Sequence, residues 1–152
     1  MKSVEKADAS ERKSSEVLVI EDDVLQAHEI EVHLGRLGFS VTMLGGGSDS
    51  LHNIVNIDPK VVIIDYHLPD MDGMTVAARV HRLAPKAAVI LMSGRIDVVP
   101  NDVLDSFGVV AFLKKPIDLR RLRRLVSMLL KDPGLTRKEL GSPFARMFSA
   151  GR

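Results

Sequence analysis

Residues 61–74 read VVIIDYHLPDMDGM, and they place an aspartate directly after four consecutive aliphatic side chains. A short aliphatic run of this kind, bounded by turn residues, predicts a buried β-strand. Asp65 stands at the end of that strand, where burial of an ionised carboxylate costs free energy unless a partner offsets the charge. The stretch therefore predicts a strand whose last position either carries chemistry or caps the next helix.

Short aliphatic runs alternate with helical periodicity along the chain on both sides of this stretch. This alternation predicts βαβ units and a parallel sheet that helices cover on both faces. The predicted fold class is therefore α/β, with a (βα)5 unit between about residues 16 and 131. The predicted strands are residues 17–20, 39–44, 61–64, 88–92 and 109–113, and the predicted helices are residues 24–37, 49–56, 74–83, 99–107 and 119–131.

The composition of the 152-residue chain, 45% hydrophobic and 27% charged, is that of an ordinary globular protein with one domain. The chain contains no cysteine, which excludes disulfides and thiolate metal sites. No apolar run approaches the roughly 18 residues of a membrane span, and the polar N-terminus lacks the apolar core of a secretory signal. We therefore expect no membrane insertion and a cytoplasmic location. The net charge of +1 gives no general attraction to nucleic acid.

Polar side chains follow the predicted strands at their carboxyl ends. Glu21 and Asp22 follow the first strand, Asp65 follows the third, Ser93 follows the fourth, and Lys115 lies beyond the fifth. Because ligands bind outside the carboxyl ends of strands in an open parallel sheet, we expect these side chains to converge on one site. Carboxylate oxygens suit Mg²⁺. Asp65 is then a candidate nucleophile toward a phosphoryl group, with Lys115 offsetting charge and Ser93 donating a hydrogen bond.

The motifs at these strand ends resemble those of a known family. They are LVIEDD at residues 18–23, ID at 64–65 with LPDMDG at 68–73, MSG at 92–94 and KP at 115–116. Together they resemble the receiver domain of two-component response regulators over about residues 16–131. The resemblance implies a flavodoxin-like, doubly wound sheet of five parallel strands in the order 2-1-3-4-5. It also implies a phosphorylation-switched module of a phosphorelay and not a dedicated enzyme.

The resemblance implies a role for each polar residue at this edge of the sheet. Asp65 would accept phosphate from a histidine kinase or a histidine phosphotransfer protein. Glu21 and Asp22 correspond to the acidic pair of the metal site. Asp22 and Asp65 would bind Mg²⁺ directly, and the backbone carbonyl of His67 would be a further ligand. Lys115 corresponds to the family's lysine, ahead of a proline whose peptide bond is expected to be cis.

Two further residues correspond to the conformational switch of the family. Ser93 matches the switch hydroxyl, and Phe112 matches the switch aromatic. On phosphorylation we expect Ser93 to move toward the phosphoryl group and Phe112 to turn from an exposed to a buried position. This movement would change the face made by helix four, strand five and helix five, where a downstream protein effector is expected to bind.

The predicted fifth helix carries four arginines on the side opposite its apolar residues. Four cations in five residues fit the phosphate backbone of a nucleic acid. Helix faces opposite a core are usually charged, however, and the family uses this surface for protein contacts. We therefore expect protein recognition and no specific nucleic-acid binding. The arginines are Arg120, Arg121, Arg123 and Arg124.

Other acidic and glycine-rich stretches have structural interpretations. Asp23 either belongs to the acidic group or caps the first helix. Residues 45–48, GGGS, lack the Gly-Lys-Ser/Thr ending of a phosphate-binding loop and are expected to form a flexible loop. Asp70 and Asp72 fit neither a calcium loop nor a dehalogenase-type phosphatase, and we expect them to shape the loop before helix three. The five histidines show no metal-ligand clustering.

The termini set the expected domain boundaries. Residues 1–15 are polar and expected to be disordered, and residues 132–152 are expected to form a short tail without an output domain. The expectation is a stand-alone receiver, either a monomer or a phosphorylation-linked dimer. Two alternatives stay open: a receiver fragment of a longer hybrid kinase or DNA-binding regulator, and an aspartyl-phosphate phosphatase. A dehalogenase-type phosphatase needs a second acid two residues after its nucleophile, and residue 67 is histidine.

Overall fold

The computed structural model describes residues 14–95 and 99–140 of the chain. Residues 1–13, for which we expect disorder, and the expected tail from residue 141 onward lie outside the described residues. Ser15, which was expected to be disordered, is buried, and its amide donates to the Ile57 carbonyl oxygen at 3.0 Å. The packed part of the chain therefore begins before the predicted boundary at residue 16.

Five parallel strands form one sheet in the order β2-β1-β3-β4-β5, which confirms the predicted fold class and strand order. Three strands end one residue later than predicted, because pairing continues through the polar residues Asp65, Ser93 and Lys114. The second strand starts two residues later than predicted, where pairing with Val17 begins. The strands are β1 (Val17–Ile20), β2 (Val41–Leu44), β3 (Val61–Asp65), β4 (Ala88–Ser93) and β5 (Val109–Lys114).

Helices connect the strands, and two of them are shorter than the sequence predicted. The first ends two residues early, and Gly38 with φ +86° then turns the chain toward β2. The fourth starts only after Pro100, whose backbone is extended (φ −57°, ψ 143°), because proline also disfavours a helical conformation in the residue before it. None of the helices in the described residues is long and apolar enough to cross a membrane. The helices are α1 (Val24–Gly35), α2 (Gly47–Ile57), α3 (Gly73–Leu83), α4 (Asn101–Ser106), α5 (Leu119–Lys131) and α6 (Arg137–Leu140).

The glycine-rich stretch at residues 45–48 is only partly a loop, which corrects the sequence-based expectation. Helix α2 begins at Gly47, two residues before its predicted start. Its first amides are capped from a distant loop, since the Asp70 carboxylate accepts from Gly47 N at 3.0 Å and from Ser48 N at 2.9 Å. Glycine at position 47 lets the start of α2 lie close to the loop that contains Asp70 and Met71, because a Cβ there would be only 2.7 Å from Met71 Cγ.

Alternate residues of the buried strands point to opposite faces and build two apolar layers. On one face Val17 and Val19 pack with α1 and α5, and on the other Leu18 and Ile20 pack with α2, α3 and α4. Both faces of the sheet are therefore covered, as expected for parallel strands. Polar side chains that end these strands can reach solvent only at the edge of the sheet.

A short C-terminal segment, absent from the sequence-based prediction, packs against β5. Leu140 of α6 is 4% exposed and belongs to the same apolar layer as α1 and α5. Arg137 joins this segment to α4 through an ion pair with Asp105 at 3.2 Å. A single helical turn is too short to show a periodic pattern, and the local signal was the capping box of Thr136 and Glu139, in which Thr136 N donates to Glu139 Oε2 at 2.8 Å and Glu139 N donates to Thr136 Oγ1 at 3.3 Å.

We expect Leu140→Ala to lower the free energy of unfolding by roughly 2–3 kcal/mol, because it removes a buried side chain and leaves a cavity. The matched control is Leu25→Ala on α1, where the leucine is 79% exposed and the change should stay within about 0.5 kcal/mol. Urea denaturation measures both. Equal, small effects of the two substitutions would show that α6 does not pack on the sheet.

Candidate functional site

Three carboxylates meet at the carboxyl edge of the sheet, as the sequence predicted. Glu21 and Asp22 follow β1, and Asp65 ends the neighbouring strand β3. One carboxylate oxygen from each lies within 4.8 Å of the others. Glu21 and Asp65 are buried, whereas Asp22 is exposed and open to water.

One lysine pairs with both buried carboxylates. Lys115 Nζ lies 3.0 Å from Glu21 Oε2 and 3.4 Å from Asp65 Oδ1. The peptide bond between Lys115 and Pro116 is cis, as the resemblance implied. The other oxygen of Glu21, Oε1, accepts the amide of Asp23 at 3.1 Å. Both oxygens of Glu21 are therefore held in place, and the ammonium lies next to the candidate nucleophile.

Burial and the crowding of negative charge perturb the pKa values at this edge. Burial raises the pKa of Glu21 from 4.5 to about 7; the hydrogen bond from Lys115 opposes this shift, and the charge of Asp65 adds to it. Burial by itself lowers the pKa of Lys115, but the hydrogen bond and charge of Glu21 outweigh it and leave the pKa raised above 10.5. The site thus has less positive charge than its carboxylates need.

The donor set fits a hard divalent cation. All three clustered side chains offer oxygen, and one ammonium is their only cationic partner among the ion pairs of the described residues. Mg²⁺ prefers one or two carboxylates and keeps several waters, for which the exposed Asp22 leaves access. Burial is the main cause of the raised pKa of Glu21, and a bound divalent ion would offset the charge of Asp65 that adds to this shift.

Ser93 lies at the end of β4, beside the acidic cluster in sheet order. It is fully buried, and its Oγ accepts the amide of Arg95 at 3.1 Å. Its backbone carbonyl accepts the amide of Lys115 at 2.7 Å. Ser93 is therefore tied through the backbone to the residue that contacts Asp65.

Phe112 already points inward, which corrects the expectation of an exposed ring. It is 7% exposed, and its ring centroid lies 5.9 Å from that of Tyr66. Position 112 belongs to the apolar layer on the side of α2, α3 and α4, since alternate residues of β5 face opposite ways. The sequence could not reveal which of two positions this side chain occupies.

The loop after β3 is held close to Asp65. The amide of His67 donates to Asp65 Oδ1 at 3.3 Å, and the amide of Gly73 donates to the carbonyl oxygen of Tyr66 at 2.7 Å. A Cβ at Gly73 would lie 2.8 Å from the Asp65 carbonyl oxygen, so only glycine fits there. His67 is exposed, and the ligand role of its carbonyl stays a prediction.

Three other aspartates have structural roles. Asp23 caps α1 by accepting from Leu25 N at 3.1 Å, which settles the alternative left open for it. Asp72 caps α3 by accepting from Thr75 N at 2.8 Å. Asp70 caps α2 instead of serving only the loop before α3, and sequence analysis missed this role.

Comparison with a protein-family model identifies the family of the chain. The model of the response regulator receiver domain matches residues 17–127. The chain belongs to this family. Receiver domains are the phosphorylation-activated modules of two-component signal transduction, and they interact with histidine kinases and effector domains.

Curated relatives of this receiver domain carry it within longer proteins. The transcriptional regulatory protein YkoG of Bacillus subtilis is 25% identical over 127 residues, covering 83% of this chain and 55% of that protein. The luminescence regulatory protein LuxO of Vibrio campbellii is 28% identical over 127 residues, covering 82% and 28%. The chain therefore spans about half or less of the length of these relatives.

Solved structures show the same fold. A CheY-like receiver domain protein from Methanospirillum hungatei has a TM-score of 0.73 at 22% identity, covering 84% of this chain and 99% of that one. The receiver domain of Francisella response regulator 1452 has a TM-score of 0.68 at 28% identity, covering 78% and 98%. The receiver domain described here thus shares its five-stranded architecture with proteins of low overall identity.

We expect the metal-free receiver domain to gain stability relative to its Glu21→Gln variant as the pH falls from about 7 to about 4.5. The pKa of Glu21 is raised in the folded state, so between these pH values the folded protein binds a proton at Glu21 that the unfolded chain does not bind. Proton binding that favours the folded state raises the free energy of unfolding as the pH falls. The relative gain should be on the order of 1–3 kcal/mol. Urea denaturation in a chelating buffer measures it.

The control for this experiment is Glu29→Gln, which removes an exposed carboxylate of α1 outside the cluster. Its stability difference from the wild type should vary little over the same range of pH. If the difference between wild type and Glu21→Gln is equally flat, the buried carboxylate does not titrate in this window.

Proposed function

We propose that Asp65 accepts a phosphoryl group from the phosphohistidine of a histidine kinase or a histidine phosphotransfer protein, and that this event switches a protein-binding surface. The observation that carries the proposal is the Lys115 ammonium, 3.4 Å from Asp65 Oδ1 and 3.0 Å from Glu21 Oε2. A cation beside a buried strand-end carboxylate, with two more carboxylates near it, is what phosphoryl transfer to aspartate requires.

The proposed reaction forms one bond and breaks one bond. A carboxylate oxygen of Asp65 bonds to phosphorus, the phosphorus–nitrogen bond of the donor breaks, and the leaving imidazole keeps the electron pair and takes up a proton. Lys115 offsets negative charge on the transferred oxygens. Mg²⁺, with Asp22 and Asp65 as direct ligands, Glu21 beside them and the His67 backbone carbonyl as a further ligand, would supply further positive charge.

Ser93 and Lys115 are the proposed link between this chemistry and the surface. A phosphoryl group on Asp65 gives the Ser93 hydroxyl and the Lys115 ammonium new acceptor oxygens, so the two states differ in these contacts. Since Phe112 is already buried, the proposed rearrangement lies in the Ser93 end of β4 and in α4 and β5. It does not need an inward movement of that ring.

The proposed surface for an effector protein is the face of α4, β5 and α5. On α5 the arginines Arg120, Arg121 and Arg124 are exposed, while Leu122 and Leu125 pack on the sheet. A basic helix on a chain of net charge +1 supports protein contacts better than specific nucleic-acid binding. We further propose a cytoplasmic location, and a monomer or a dimer that forms on phosphorylation.

We expect Asp65→Asn to abolish phosphorylation by acetyl phosphate in the presence of Mg²⁺, because the amide is not a nucleophile toward phosphorus. The wild type should gain about one phosphoryl group per chain, labile to both acid and base, as measured by intact-protein mass spectrometry. Asp58→Asn is the matched control, since Asp58 is exposed, lies outside the acidic cluster and has φ 49°, which asparagine tolerates. If Asp65→Asn gains a phosphoryl group as the wild type does, Asp65 is not the nucleophile.

We expect Lys115→Ala and Ser93→Ala to leave some phosphorylation of Asp65 but to uncouple it from the surface. The amide chemical-shift changes in α4 and β5 that phosphorylation causes should shrink severalfold in each variant. Lys114→Ala, at the exposed neighbouring position, should retain the full changes. Full changes in either of the first two variants would contradict the proposed link.

A further inference from the structure

A groove between α2 and α3 lies outside the proposed phosphorylation site. Its volume is about 460 Å³, and none of its lining residues belongs to the acidic cluster. The groove is preorganised at one end, because the Asp70 carboxylate holds the amide of Ser48, one of its lining residues. The α2–α3 groove is lined by Ser48, Leu51, His52, Arg79, Arg82 and Leu83.

The α2–α3 groove is cationic. Arg79 and Arg82 are exposed, and within the part of the chain that the structure describes neither forms an ion pair. None of the described lining residues is acidic. His52 Nδ1 donates to the Ser48 carbonyl oxygen at 2.8 Å, which leaves Nε2 as the remaining polar atom of the ring.

Apolar side chains accompany these cations. Leu83 is 47% exposed in the groove, beside the half-buried Leu51. Val55, 65% exposed, is four residues after Leu51 and therefore lies on the same side of α2. Exposed aliphatic side chains next to unpaired arginines combine two features of a protein-binding surface.

We propose that the α2–α3 groove is a docking site for an acidic amphipathic segment of a partner protein. Arg79 and Arg82 are three residues apart, so they lie side by side on α3, and each guanidinium can bind one carboxylate through two parallel hydrogen bonds. The apolar side of the segment covers Leu51 and Leu83. A nucleic-acid backbone would satisfy the arginines but would leave these leucines without a partner.

The test measures binding of a fluorescein-labelled helical peptide that places glutamates on one face and leucines on the other. Fluorescence anisotropy gives its affinity, and amide chemical shifts locate it on the protein. A scrambled peptide of the same composition removes the amphipathic pattern. The first variant is Arg79→Glu with Arg82→Glu, and the matched control is Lys60→Glu with Lys86→Glu, two exposed lysines outside the groove that change the net charge equally.

We expect the amphipathic peptide to bind and to shift the amides of the groove, whereas the scrambled peptide binds more weakly. The double arginine variant should weaken binding at least about tenfold, and the lysine control should change it by less than about threefold. Leu83→Ser should also weaken it. Asp65→Asn should leave it unchanged, so the groove can fail this test without affecting the proposed phosphorylation, and the converse also holds.

Four outcomes would overturn the docking site. The first is equal loss of binding in the arginine and lysine variants, which would reflect net charge alone. The second is a set of shifted amides outside the groove, and the third is no binding at about millimolar peptide. The fourth is tighter binding of a labelled single-stranded oligonucleotide in the groove than of the acidic peptide, which would assign the arginines to phosphate.

Discussion

The contact of one ammonium with two buried carboxylates is the constraint on which this receiver domain depends. Glu21 and Asp65 stand at the ends of adjacent strands, and Lys115 offsets the negative charge of both. Removing one partner of such a buried set costs about 3–5 kcal/mol. The contact joins β1, β3 and the segment after β5, so the same interaction links three parts of the sheet edge and places a cation beside the proposed phosphoryl acceptor Asp65.

The loop after β3 extends this constraint to the neighbouring helices. Both Asp70 and Asp72 lie in this loop. Asp72 caps α3, which follows it directly in the chain, and Asp70 caps α2, which precedes β3. The backbone hydrogen bonds from Ser48 and Gly47 lower the pKa of Asp70 below 3.8, so it remains ionised at neutral pH. The residues next to Asp65 and the start of the α2–α3 groove are therefore positioned by one short segment.

The parallel sheet separates two kinds of surface on one small chain. Its carboxyl edge gathers the acidic cluster, because strand ends are where polar side chains can leave the apolar layers. The helices that cover the sheet carry exposed charges, among them the arginines of α5 and α3. The proposed phosphorylation site at the edge and the proposed binding surfaces on the helices use different residues, so substitutions can change one without the other.

The sequence by itself determined the fold class and the acidic cluster, because aliphatic runs and the polar residues that end them are local patterns. It predicted Asp65, Asp22 and Lys115 as neighbours from strand ends alone. Only the tertiary structure decided that Asp70 caps α2, that Phe112 points inward and that α6 packs on β5. The cap on α2 depends on a contact between distant segments, and the position of Phe112 is one of two that a side chain can take, so neither leaves a local pattern. The Thr136–Glu139 capping box marks the start of α6, but its packing on β5 is again a contact between distant segments.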